Sequence, residues 1–166
     1  MKKRLLCILF ALLLCFSFAG CSKEEKKEEK IKLVDIEILQ DAMISAAPSL
    51  PETVSINSKS DDAAESFSYI SDLDYNKVES FFICYANTPV ADEIAVITVK
   101  DKADAQKALD SLKKHVEERI SLFSTYAPEE LERLENAITL TKDNYAALII
   151  CKDAKAVEDA FYKAVK

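Results

Sequence analysis

Residues 78–124 read VESFFICYANTPVADEIAVITVKDKADAQKALDSLKKHVEERISLFS, and this stretch decides the fold. Val78 to Ala86 and Glu93 to Lys100 are dense in Phe, Ile, Val and Tyr, residue types that suit a pleated, buried surface. Asn87-Thr88-Pro89-Val90-Ala91-Asp92 between them has the composition of a turn, so the two runs read as a hairpin with a long loop. Asp101 then stands where a helix cap belongs. Ala105, Ala108, Leu109, Leu112, Val116, Ile120 and Phe123 recur at i, i+3, i+4 spacing, which predicts a helix over 102–124 whose apolar stripe is core.

A similar unit follows. Pro128 suits the first turn of a helix, and Glu129 and Glu130 suit the positive end of its dipole. Ala137-Ile138-Thr139-Leu140-Thr141 and Tyr145 to Cys151 read as a second strand pair around Lys142-Asp143-Asn144, where Asp and Asn tolerate the positive φ of a tight turn. A last helix over 154–165 presents Val157, Ala160, Phe161 and Ala164 on one face. Before the hairpin, Ile36, Leu39, Met43 and Ala47 predict a helix capped by Asp35, with Val34 as a staple, that Pro48 and Pro51 stop. Residues 48–66, rich in Ser, Pro, Asp and Asn, read as a loop with at most a short strand. The expectation is an α+β fold, a four-stranded antiparallel sheet with helices packed on it, in helix-β-β-helix-β-β-helix order.

The N-terminus sets location. Met1-Lys2-Lys3-Arg4 is a basic segment, Leu5 to Phe18 is apolar, and Phe18-Ala19-Gly20-Cys21 resembles a bacterial lipobox. That resemblance implies a diacylglycerol, with palmitate-type chains, on the Cys21 thiol, and cleavage before that residue. Phe18 stands where leucine is commonest. Cys7 and Cys15 follow bulky Leu6 and Leu14, which leaves Cys21 as the acylation candidate. A plain signal peptide ends in a small-x-small pattern, which Phe18 breaks. An uncleaved anchor needs about 20 apolar residues to cross roughly 30 Å of hydrocarbon, whereas the run from Leu5 to Cys21 is 17 residues. The expected organisation is a signal peptide over 1–20, a lipidated cysteine and charged tether over 21–30, and one domain over 31–166. The domain is then held on the outer face of the cytoplasmic membrane.

Charge and composition narrow the function. Without residues 1–20 the chain keeps 19 basic and all 29 acidic side chains, a net charge of −10. Phosphate binding needs a concentrated basic surface, so nucleic acid is excluded as a partner. Anionic headgroups are repelled too, which assigns membrane attachment to the acyl chains. The chain's one glycine is Gly20, so residues 21–166 hold no P-loop, no dinucleotide fingerprint and no G-x-S-x-G elbow.

Few side chains suggest chemistry. Asp72-Leu73-Asp74-Tyr75-Asn76 begins like a calcium loop but has Lys77 where the turn needs glycine and Ile83 where a bidentate glutamate belongs, so it reads as an Asx turn. His115, the single histidine, has no partner ligands by spacing and reads as a boundary residue beside the core. Cys84 and Cys151 sit in apolar strands as buried thiols, or as a disulfide if their strands are neighbours, with a nucleophile as the remaining alternative. No cofactor and no metal site is expected. Asp92, Glu93 and Tyr126, at loop ends on a rigid scaffold, are candidates for a recognition surface, with capping and turn formation as the alternative.

Val78-Glu79-Ser80-Phe81, Asp92-Glu93-Ile94-Ala95-Val96, Tyr126-Ala127-Pro128-Glu129-Glu130, Glu135-Asn136-Ala137 and Asn144-Tyr145 occur in this order. Together they resemble the uncharacterised Gram-positive lipoprotein family called domain of unknown function 4358, over about residues 31–166, with Asp143 where a glycine is expected. The resemblance implies an exported lipoprotein domain and no particular activity. The functional expectation is a non-catalytic, membrane-tethered extracytoplasmic domain that binds a protein, peptide or envelope component. The alternatives are a small-solute-binding accessory lipoprotein, for which 146 residues is short, and an envelope hydrolase.

Overall fold

In the computed structural model, which describes residues 32–166, the chain runs α1 (Ile36–Ser45), β1 (Thr53–Asn57), α2 (Ala63–Phe67), β2 (Val78–Ala86), β3 (Glu93–Val99), α3 (Ala105–Tyr126), α4 (Leu131–Glu135), β4 (Ile138–Lys142), β5 (Tyr145–Ile150) and α5 (Ala154–Ala164). Short 3-10 turns at Tyr75–Lys77, Lys102–Asp104 and Pro128–Glu130 lead into β2, α3 and α4. The expected signal peptide, Cys21 and the expected tether lie outside the described residues, and Leu33–Lys166 form one unit.

The sheet is antiparallel throughout with the order β1-β2-β3-β5-β4. It therefore has five strands, not four. The extra strand is Thr53-Val54-Ser55-Ile56-Asn57, which pairs with β2 from Thr53 opposite Ala86 to Asn57 opposite Phe82. Its polar alternate positions and its place at the sheet edge explain why it resembles a loop, since an edge strand needs only one apolar side.

Strand alternation splits the core into two layers. Phe81, Ile83, Ala95, Ile97, Ala146, Leu148 and Ile150 point to the face covered by α2, α3 and α4. Phe82, Cys84, Ile94, Val96, Ala147 and Ile149 point to the opposite face, covered by α1 and α5. Burial on both faces is why β5 and the Ile94–Ile97 part of β3 are apolar without polar alternation. The predicted stripe of α3 packs inward, with Ala108 and Leu112 fully buried.

Local chemistry sets the boundaries. Asp35 Oδ1 accepts from Glu37 N at 2.9 Å and starts α1. Asp101 Oδ1 accepts from Ala103 N at 2.8 Å and opens the turn into α3. Asp143 carries the one positive φ among the described non-glycine residues, 51°, in the β4–β5 turn. Asn144 beside it donates from Nδ2 to the Val99 carbonyl at 2.9 Å, tying that hairpin to the end of β3. Asp74 Oδ1 accepts from Asn76 N at 3.0 Å, an Asx turn before β2.

Cys84 and Cys151 are buried free thiols. Cys84 pairs with Ile94 on β3, and Ile94 pairs with Ile149 on β5, so a whole strand separates the two cysteines. Two strand spacings are about 9.5 Å, beyond the roughly 7 Å that a disulfide spans between Cα atoms. Burial pushes the Cys151 thiol up to about 11, which keeps it protonated and inert.

Candidate functional site

Asp92 and Glu93 are 3% and 4% exposed, so neither carboxylate lines the solvent-facing surface. Each meets a guanidinium instead: Asp92 Oδ2 accepts from Arg133 Nη1, and Glu93 Oε2 accepts from Arg119 Nη1. The second oxygen of Glu93 accepts from His115 Nε2 at 2.9 Å. Glu130 completes the group, with Oε2 at 3.2 Å from Arg133 Nη1 and accepting from the Ala91 amide at 2.9 Å. The β2–β3 loop, the second half of α3 and the turn before α4 are thereby clamped together.

Arginine suits this task because its planar fork pairs with carboxylates in fixed geometry and tolerates partial burial. Arg119 and Arg133 are the only arginines after Arg4, among 17 lysines in residues 21–166, and both engage this adjacent acid pair. That scarcity is the sequence signal for the cluster. Burial raises the Asp92 carboxyl above its ordinary value, while Arg133 draws it back. His115, expected beside the core, is a ligand of this ionic group rather than a bystander.

The network underlies one flank of α3. Ser111, His115, Glu118, Leu122 and Tyr126 follow at steps of 4, 3, 4 and 4 residues, which places them along one side of the helix. At its N-terminal half this flank and residues 68–72 enclose a cavity of about 230 Å³. There the Ser71 and Ser111 hydroxyls are 2.8 Å apart, Ser111 Oγ donates to Asp72 Oδ1 at 2.9 Å, and Lys114 Nζ donates to Asp72 Oδ2 at 2.8 Å. Toward its C-terminal half the flank is apolar. Arg119 stacks over Phe123 at 5.2 Å, and Phe123 lies 4.8 Å from Tyr126. Tyr126 is thus linked through Phe123 and Arg119 to Glu93, and it is the one candidate of the three that reaches solvent.

Exposure around the flank is unusual. Tyr69 is 71%, Leu122 59%, Tyr126 49% and Val54 39% exposed. Tyr69 lines the small cavity, and Val54, opposite Tyr85 in the ladder, projects from the same sheet face. The other exposed large side chains, Ile38 and Tyr162, belong to α1 and α5 across the sheet. Leu122 falls outside the apolar stripe of α3, Val54 lies in the Ser- and Pro-rich stretch 48–66, and Tyr69 lies in the unpatterned residues between that stretch and β2, so periodicity marks none of them.

A larger cavity of about 680 Å³ lies at the other end of the sheet, lined among others by Val34, Ser58, Lys59, Asn76, Ser80 and Lys100. Its lysines are engaged: Lys59 with Glu37 at 2.6 Å, Lys100 with the Asn76 carbonyl at 2.8 Å. Among the described residues, no three His, Cys, Asp or Glu side chains are placed to hold a metal ion, and no helix is long and apolar enough to cross a membrane.

The family model described as Domain of unknown function (DUF4358) matches residues 52–151. The chain belongs to this family. The matched region is narrower than the 31–166 resemblance. It holds all five strands, α3, α4 and the whole Asp92-Glu93-Arg119-Arg133 cluster, and it leaves out α1 and α5. No curated protein and no solved structure matches the chain.

Proposed function

We propose that this member of the DUF4358 family is a non-catalytic, membrane-tethered extracytoplasmic lipoprotein domain that binds a protein partner through the flank of α3. The observation that carries the reading is the gathering of Tyr69, Leu122, Tyr126 and Val54 on one side of the sheet, braced by a buried ionic network. Exposed aromatic and aliphatic side chains on a rigid support are what protein recognition uses, because little order is lost on binding. The buried carboxylates support a structural role, since each sits against a guanidinium instead of facing a cavity. A small-solute reading finds its best site in the 680 Å³ cavity, whose size is adequate, but whose lysines already have partners. Placement at the membrane rests on the lipobox resemblance at Cys21.

Two measurements test this. Labelled palmitate is expected to enter the wild-type chain and not the Cys21→Ala variant; equal labelling would refute the anchor. A partner that co-purifies from native membranes is expected to be lost with Leu122→Ser/Tyr126→Ser and retained with Tyr162→Ser. Retention by the first variant would refute the docking face.

A further inference from the structure

We infer that the segment docked on this face is basic: a stretch of a partner protein carrying lysine or arginine around apolar residues. This inference rests on the docking reading above and adds the chemistry of the partner. Asp61, Asp62 and Glu65 stand at α2, just before Tyr69, and Glu118 and Glu129 lie on the α3 flank and just beyond its end. Apart from Glu118, which is 4.0 Å from Lys114, none of these acids has an ion-pair partner among the described residues. The cations on this side of α3 are committed, whereas Lys113 projects from the far side of the helix. Lys107 pairs with Asp104 at 2.8 Å and Lys114 with Asp72 at 2.8 Å, while Arg119 and Arg133 are held by the buried acids.

The result is a set of exposed apolar side chains on this face of the sheet, accompanied by carboxylates that are largely unneutralised. An acidic partner brought against this face meets like charge, whereas a basic one is steered toward it and compensates the carboxylates that lose water. Geometry sets the length of the segment. From Ser111 to Tyr126 the helix rises about 22 Å, which matches about seven extended residues or about fifteen helical ones. Anionic lipid does not fit the same carboxylates, so the face is free to meet protein while the anchor holds the membrane.

The test uses the full chain in phosphatidylcholine nanodiscs, with empty nanodiscs subtracting binding to lipid. Two fluorescent peptides of about fifteen residues serve as probes, one of lysine and leucine with the leucines at helical spacing, the other with glutamate for lysine. The lysine peptide is expected to bind at least about tenfold more tightly, and to weaken about tenfold when salt rises from about 50 to about 300 mM. Glu118→Lys/Glu129→Lys is expected to weaken it roughly tenfold, while the same reversal across the sheet, Asp41→Lys/Asp159→Lys, leaves it within about twofold. Equal affinity for the two peptides, or equal effects of the two charge reversals, would overturn the inference. A membrane partner that needs Leu122 and Tyr126 but survives the Glu118→Lys/Glu129→Lys reversal refutes a basic partner and leaves the docking face standing. A partner indifferent to Leu122 and Tyr126 refutes both.

Discussion

Replacing Arg133 by alanine removes the guanidinium that holds Asp92 and Glu130, leaving two carboxylates close together on the edge of the core. Breaking a fully buried ion pair from one side costs about 3–5 kcal/mol. The Arg133 side chain is 35% exposed, so water recovers part of the loss and the cost works out at about 2–3 kcal/mol. For a domain of this size that lowers the melting temperature by about 10 °C. The sign with pH follows from Asp92. Burial already holds its carboxyl above the ordinary value and Arg133 is the strongest influence pulling it down, so the variant's carboxyl rises further. An acid whose folded value exceeds its unfolded value binds its proton more tightly in the native state. The stability deficit is therefore full at about pH 7 and shrinks as pH falls toward about 4. Asp92→Asn in the Arg133→Ala background removes the stranded charge and should recover most of the loss. Urea unfolding followed by circular dichroism at both pH values measures this. A loss below about 0.5 kcal/mol, or a deficit that does not change with pH, would refute the account of the ionic platform.

Leu112→Ala empties a fully buried site in the α3 stripe and should cost about 2–5 kcal/mol by urea titration. His115→Ala withdraws one of two partners from buried Glu93 and should cost about 1–3 kcal/mol, more than a boundary residue would and less than Leu112→Ala. Cys84 and Cys151 should resist a thiol reagent at neutral pH until the protein is unfolded, and the intact mass should show both in the reduced form. Leu122→Ser and Tyr126→Ser should each stay within about 0.5 kcal/mol of wild type, because exposed side chains leave no cavity.

The elements most legible in the sequence are those buried on two sides or striped on one. β2 and β3 announce themselves by apolar density, and α3 by a stripe running from Ala105 to Phe123. β1 is hidden because five residues at an edge, alternating Thr and Ser with Val and Ile between Pro51 and a Ser-rich loop, give too short a pattern to separate from a turn. The candidate site divides differently. Asp92 and Glu93 stand out as adjacent acids, but their burial depends on Arg119 and Arg133, which lie 26 and 41 residues away from their partners in the chain. Periodicity says nothing about such pairs; only the rarity of arginine hints at them. Tyr126 is visible beside Pro128, whereas Leu122 acquires meaning only when its flank is seen to face the same side as Tyr69.

The central claim is that the α3 flank is where a partner sits while the anchor holds the chain at the membrane. A photo-crosslinking phenylalanine analogue placed at Tyr126 in the full chain, and separately at Tyr162 on α5, tests it in native membranes. Both positions are about half exposed, so both are equally open to solvent and to chance contact. The account predicts a discrete protein adduct from position 126 that disappears when Leu122 is replaced by serine, and none from position 162. An adduct from 162 alone, or one from 126 that survives Leu122→Ser, would contradict it.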